Sequence, residues 1–200
     1  MVHGVDWECF AIGAGHVSYL PSTVAEIAVT SDSPPGFLLL WTRYSAHLAF
    51  VFLLLAFSAS TLKAFANSAQ TRGWVKYRRQ LGLGFATAHT FHLVALILFL
   101  SNLEGYSVDT SVAVAGFGYV VTALLAVTSN DYSINRLGPA KWKQLHSVGI
   151  SILMLYFFVA FSGRLLTDFA PIYAVYVALI ATAVVAKLKV KRRIMTAATD

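Results

Sequence analysis

Five stretches of this chain, 44–62, 80–103, 110–130, 144–163 and 169–186, contain no Asp, Glu, Lys or Arg and are 19, 24, 21, 20 and 18 residues long. A bilayer core of about 30 Å is crossed by roughly 20 helical residues rising about 1.5 Å each, so every stretch meets or nearly meets the length of a span. The composition agrees, with 58% hydrophobic and only 12% charged residues, and a mean hydropathy of +0.68. The expected fold is therefore all-α, a polytopic membrane bundle of five transmembrane helices. A sixth span over residues 9–20 is excluded by reach, since a helix of that length covers only about 18 Å.

The charges between the stretches set the expected orientation. Segments 63–79, 131–143 and 187–200 hold 13 of the 15 Lys and Arg, among them Arg78, Arg79, Lys143 and Lys187. The alternate segments hold only Arg43 and Arg164, together with seven of the nine acids: Asp6, Glu8, Glu26, Asp32, Glu104, Asp109 and Asp168. Loops rich in Lys and Arg stay on the cytoplasmic side, which predicts an outside N-terminus and an inside C-terminus. On this reading 1–36 is an extracytoplasmic tail, 37–190 the bundle and 191–200 a basic cytoplasmic tail. The setting is a multi-pass membrane protein, expected in a bacterial inner membrane. Trp41, Trp74 and Trp142 fall at expected membrane ends, where indoles anchor at the interface. Gly82, Gly84, Gly116, Gly118 and Gly149 lie within spans, where small residues let helices approach closely.

Several function classes are excluded. A net charge of +6 and a pI near 9.6 would suggest nucleic acid in a soluble chain, but these cations flank apolar spans and serve topology, so no nucleic-acid partner is expected. The single cysteine, Cys9, rules out an internal disulfide, a CxxC pair, a Cys-ligated iron–sulfur cluster and a c-type haem attachment. The opening residues lack a positive n-region, so no cleavable signal peptide is expected. No phosphate loop, GxSxG, HExxH or paired-carboxylate motif occurs.

The histidines carry the chemistry. His3 and His16 lie in the tail, whereas His47, His89, His92 and His146 fall inside the spans. The spans contain no carboxylate, so no acidic proton relay crosses them, and they offer too few polar residues to line a transport path. Imidazole suits iron, copper and zinc, and neutral histidines on facing helices can hold a haem between them. His89 and His92 are three residues apart and so share one helix face. A single such histidine commonly does no more than hydrogen-bond to a neighbouring helix; four together favour a cofactor.

Residues 78–92, RRQLGLGFATAHTFH, and 128–146, TSNDYSINRLGPAKWKQLH, resemble the two signature regions of the ferric reductase-like transmembrane family, and within it the MsrQ/YedZ type of haem b membrane subunit. The matching features are Arg78, Arg79, Leu81, Gly82, Leu83 and His92 in the first region. In the second they are Thr128, Ser129, Arg136, Leu137, Gly138, Trp142, Leu145 and His146. The resemblance covers about residues 40–190. It implies a helix bundle holding haem b, one or two per chain, with His92 and His146 at ligand positions. It further implies an electron-transfer subunit of an oxidoreductase with a periplasmic redox partner. Two-haem members carry a second histidine thirteen or fourteen residues away on each helix; here those positions are Arg78 and Val159.

Depth counting distributes the histidines between two levels. His92 lies about 18 Å beyond Gln80, whereas His146 lies only about 6 Å beyond Trp142, too far apart for one iron unless the helices tilt or slide. His47 matches His92 better, at about 15 and 17 Å from the outer end. The expected site is an outer-half haem held by His92 with His47, or with His89 rotated in as ligand. His146 then serves an inner site or a haem propionate. Arg78, Arg79 and Lys143 are candidates for propionates, for an anionic quinol or flavin (FMN) headgroup, or for membrane lipid; Arg43 and Arg164 are candidates for outer propionates. Only a short tail follows the last span, so the donor is expected to be a quinol or a separate flavoprotein. The competing expectation is a haem-free accessory or scaffold subunit that keeps the fold.

Overall fold

The computed structural model describes residues 34–102, 110–168 and 171–197. The expected tail, with His3, Cys9 and His16, lies almost wholly outside the described residues, as do Glu104 and Asp109. The described residues form seven helices and no strand: α1 (Pro34–Phe65), α2 (Ala69–Lys76), α3 (Arg78–Ser101), α4 (Thr110–Val127), α5 (Asp131–Leu137), α6 (Pro139–Asp168) and α7 (Pro171–Thr196). Four of them, α1, α3, α6 and α7, are long and apolar enough to cross a membrane, and α4 contributes a shorter apolar helix over Ala115–Val127. The described residues are thus all-helical, and the four apolar helices fit a multi-pass membrane protein. Prolines open α1, α6 and α7, where a missing N–H and a fixed φ cost a helix nothing. α7 runs on through Lys191 and Arg193 to Thr196, so the basic stretch expected as a tail extends the last helix.

The two short helices are set by caps rather than by hydropathy. Ser68 and Thr71 form a reciprocal capping box at the start of α2, with Ser68 Oγ accepting from Thr71 N at 3.2 Å and Thr71 Oγ1 from Ser68 N at 3.1 Å. Asn130 Oδ1 caps α5 by accepting from Ser133 N at 2.7 Å. α5 stops at Gly138, whose φ of +79° is open to glycine but strained for other residues. That turn redirects the chain into α6.

α1 is the hub of the bundle. Its small and apolar residues Ala46, Ala49, Phe50, Leu53, Ala56 and Phe57 recur at three- and four-residue intervals and are all buried. The largest interface in the bundle is α1 against α3, and α1 also packs on α6 and α7. Phe85 of α3, and Leu153, Met154, Phe157 and Phe161 of α6, complete the core. α4 packs against α6 and α3, with Gly149 of α6 facing Leu125. Phe91, Ile97, Val120, Leu155 and Leu179 point outward, more than 40% exposed, which suits contact with lipid rather than water.

Candidate functional site

His92 is buried where α3 crosses α1. Its Nδ1 lies 2.9 Å from the Thr42 carbonyl oxygen. A carbonyl can only accept, so Nδ1 carries the proton and Nε2 keeps the lone pair. Ser45 Oγ stands 3.3 Å from the same nitrogen and has its own carbonyl partner, that of Trp41, at 2.7 Å. A backbone carbonyl that fixes the imidazole tautomer is the usual support for a metal-ligating histidine.

His89 sits one turn inward on the same helix face, its ring centroid 5.8 Å from that of His92. It is 3% exposed, and its Nδ1 has no hydrogen-bond partner among the described residues. A buried nitrogen left unpaired is costly and marks a position where a partner is missing from the protein itself. Aromatic rings surround it: Tyr119 of α4 at 4.3 Å, Phe85 at 5.1 Å and Phe157 at 5.8 Å. The stacking of Tyr119 had no signal in the sequence, because it depends on how α4 faces α3.

His47 faces the other side of α1. Its ring contacts are Tyr176 at 5.3 Å, Tyr173 at 6.2 Å, Tyr44 at 6.2 Å and Phe161 at 6.5 Å. It lies one to two turns inward of Thr42, about 7.5 Å along the helix. The structure therefore brings His89 and His92 into ring contact and keeps the ring contacts of His47 on the α6/α7 side.

His146 belongs to a different level. His89 is level with Phe157, and His146 is 11 residues nearer the start of α6, about 16 Å along the helix. Its ring stacks on Trp142 at 4.1 Å, and its Nε2 lies 3.0 Å from Thr128 Oγ1. That hydroxyl gives its proton to the Leu124 carbonyl at 2.7 Å, so His146 Nε2 is the donor and its lone pair is on Nδ1, the reverse of His92. Trp142 Nε1 donates to the Thr128 carbonyl at 2.8 Å. Thr128, Trp142 and His146 thus form one linked group at the basic end of the bundle.

A cavity of about 740 Å³ opens at that end, with α1, α3, α4, α6 and α7 all contributing to its wall. Arg78, Arg79, Lys143 and His146, singled out in the sequence, all line it, as do Trp142 and Lys187. Arg78 donates through Nε to the Ala56 carbonyl at 3.2 Å. Arg79 is already engaged, with Nη1 at 2.8 Å from Asp131 Oδ1 and Nε at 2.8 Å from the Ser129 carbonyl. Of the cations on the other side, Arg164 is buried in α6, and Arg43 Nε makes no hydrogen bond among the described residues.

A haem asks for neutral imidazole lone pairs within an apolar bundle and cations for its propionates. His92 meets the first need through its fixed tautomer, His89 with an Nδ1 unpartnered among the described residues stands beside it, and Arg43, next in sequence to Thr42, supplies a cation on the same helix. The residues present fit the group. No cluster of three or more His, Cys, Asp or Glu occurs among the described residues, so a bare metal ion held by protein ligands alone has no equivalent site there.

No family model matches the chain, and no solved structure matches it. Among curated proteins it is similar to the magnetosome protein MamZ of Paramagnetospirillum magneticum, at 30% identity over 122 residues. The match covers 58% of this chain and 18% of that protein, so the chain spans about a fifth of the relative's length.

Proposed function

We propose that this chain is a b-type haem protein of a bacterial inner membrane. In this reading it carries electrons from a quinol or a separate flavoprotein to an acceptor on the outer side. The observation that carries the proposal is the buried His92, whose Nδ1 is committed to the Thr42 carbonyl at 2.9 Å and whose Nε2 lone pair is thereby kept for a metal. His92 would hold the iron, or His89 in its place if that side chain rotated in, and His47 from α1 would complete the pair only after turning from the α6/α7 side it now faces. When bound, the haem supplies a one-electron couple. The chain's own part is to fix the imidazole through Thr42, to exclude water with the Phe85, Tyr119 and Phe157 rings, and to balance negative charge with Arg43. The membrane arrangement proposed with it has five spans, α4 being the fifth. At 18 residues, α4 reaches about 27 Å, close to the thickness of the hydrocarbon core. The N-terminus is placed outside and the C-terminus inside, which the Lys and Arg distribution favours, and the bacterial source of the relative supports the setting.

Optical spectroscopy of the purified protein and four His→Ala variants tests this reading. The wild type is expected to show a Soret band that sharpens on reduction. His92→Ala is expected to lose it and His146→Ala to retain it. Loss in His146→Ala with retention in His47→Ala would reverse the ligand assignment, and a wild type without the band would leave the accessory-subunit reading.

A further inference from the structure

The cavity at the basic end reaches up to Phe85, which packs against His89 at 5.1 Å, but its cationic rim lies about three helical turns from the histidine cluster and is not explained by it. Its floor is apolar, made by Leu53, Phe85 and Leu153, and these side chains belong to the packed core. Its rim is cationic: Arg78, Lys143 and Lys187 line it, with Lys76, Arg79 and Lys191, and among the described residues no Asp or Glu does. Asp131, a carboxylate close to this rim among the described residues, is taken up by Arg79.

Two of these cations lack the partners that such groups normally find. Lys187 Nζ is shielded from solvent and makes no hydrogen bond among the described residues; it lies 3.9 Å from the Phe57 ring. Arg78 uses Nε on a backbone carbonyl and has no protein acceptor for its two Nη groups among the described residues. Gathering cations around an apolar hollow without a counter-charge is unfavourable unless an anion completes the site. A planar fork and point-charge ammoniums together match a tetrahedral group with several acceptor oxygens. Basic pockets between transmembrane helices are known to take phosphate headgroups.

We propose that this cavity binds the phosphate of an anionic amphiphile, with the phosphate among Arg78, Lys143 and Lys187 and the apolar part on the Leu53–Phe85–Leu153 floor. The phosphate belongs either to a membrane phospholipid or to a free phosphate-bearing ligand. The site shares Phe85 with the surroundings of His89, but its cations Arg78, Lys143 and Lys187 and its phosphate contacts use none of His47, His89 and His92, so it stands whether or not the haem reading holds.

Trp142 in the cavity wall is the reporter. The full chain in neutral detergent is titrated with phosphatidylglycerol carrying brominated acyl chains, and with brominated phosphatidylcholine as reference. Emission from a Trp142→Phe variant is subtracted to isolate the Trp142 signal. Phosphatidylglycerol is expected to quench Trp142 saturably, at a concentration at least about tenfold lower than phosphatidylcholine requires, as fits charge-assisted hydrogen bonds. The doubly substituted Lys143→Met/Lys187→Met chain is expected to lose that preference. Lys141→Met/Lys189→Met, which removes the same charge outside the cavity, is expected to keep it. Lys143→Met alone, at an exposed position, guards against misfolding of the double variant and is expected to weaken the preference. Inorganic phosphate that shifts Trp142 emission in the wild type but not in the double variant, without selective quenching by phosphatidylglycerol, identifies a free ligand as the source. Equal quenching by both lipids with no response to inorganic phosphate, or equal losses in the two double variants, would overturn the proposal.

Discussion

Substituting Gly149 measures whether α4 is docked on α6 as described. A Cβ at this position falls 2.8 Å from Leu125 Cδ2, 3.0 Å from Cδ1 and 3.1 Å from Cγ. Carbon atoms rest at about 3.5–4.0 Å, so Leu125 has to retreat by roughly 0.5–1 Å, and because Cγ is involved a rotation of the methyl groups alone does not relieve the contact. Overpacking of this size costs about 1–3 kcal/mol, and the helix-propensity gain of replacing glycine by alanine returns about 1 kcal/mol. Gly149→Ala is therefore expected to destabilise the bundle by about 0–2 kcal/mol in net terms. The sharper quantity is the coupling to Leu125→Ala, which removes the side chain that Cβ would strike. The double variant is expected to be more stable than the sum of the single effects by about 1–3 kcal/mol, read from unfolding in mixed detergent micelles by far-UV circular dichroism. Additivity within about 0.5 kcal/mol would refute the contact and with it the placement of α4 against α6.

Three further outcomes follow from the same structure. Gly138→Ala puts a side chain at φ +79° and is expected to cost about 1–3 kcal/mol in the same unfolding assay, whereas a neutral result would contradict the α5–α6 turn. Arg79→Ala is expected to change stability by no more than about 1 kcal/mol, because its partner Asp131 is 83% exposed and exposed pairs contribute little; a larger loss would mean the pair is shielded in the membrane. Cys9, the single cysteine, is expected to react with a membrane-impermeant maleimide on intact spheroplasts, and labelling only after permeabilisation would invert the proposed orientation.

The long helices were legible because hydrocarbon imposes a simple rule on sequence, the absence of charge over about 20 residues. α1, α3, α6 and α7 follow it, and their ends extend past the uncharged stretches because Lys63, Arg78, Lys187 and Lys191 remain helical while their charges reach the interface. The short helices α2 and α5 were not legible from hydropathy, since Ser68, Asn130 and Gly138 define them through capping and a single backbone dihedral. At the site, counting residues along the helices put His146 at a different depth from His92, and the packing of Phe157 against His89 also sets His146 at another level, by a larger distance. The counting carried no information on direction around a helix. His47 and Ser45 are two residues apart on α1, yet one packs against Tyr176 and the other approaches His92. The Thr42 carbonyl that sets the His92 tautomer is a backbone group, invisible to any reading of residue types. Arg78, Arg79, Lys143 and His146 were each recognisable as individuals, but only the folded chain shows that they share one cavity with Lys187, a residue from the last helix.

The most direct measurement is the haem content of the purified chain, determined as the pyridine haemochrome in wild type and in His92→Ala. About one b-type haem per chain is expected in the wild type, and a loss of at least tenfold in His92→Ala while the variant keeps its helical circular dichroism, since an imidazole hydrogen bond between transmembrane helices contributes only about 1 kcal/mol to folding. A wild type without haem, or a His92→Ala variant that keeps its full complement, would contradict the assignment of His92 as an iron ligand.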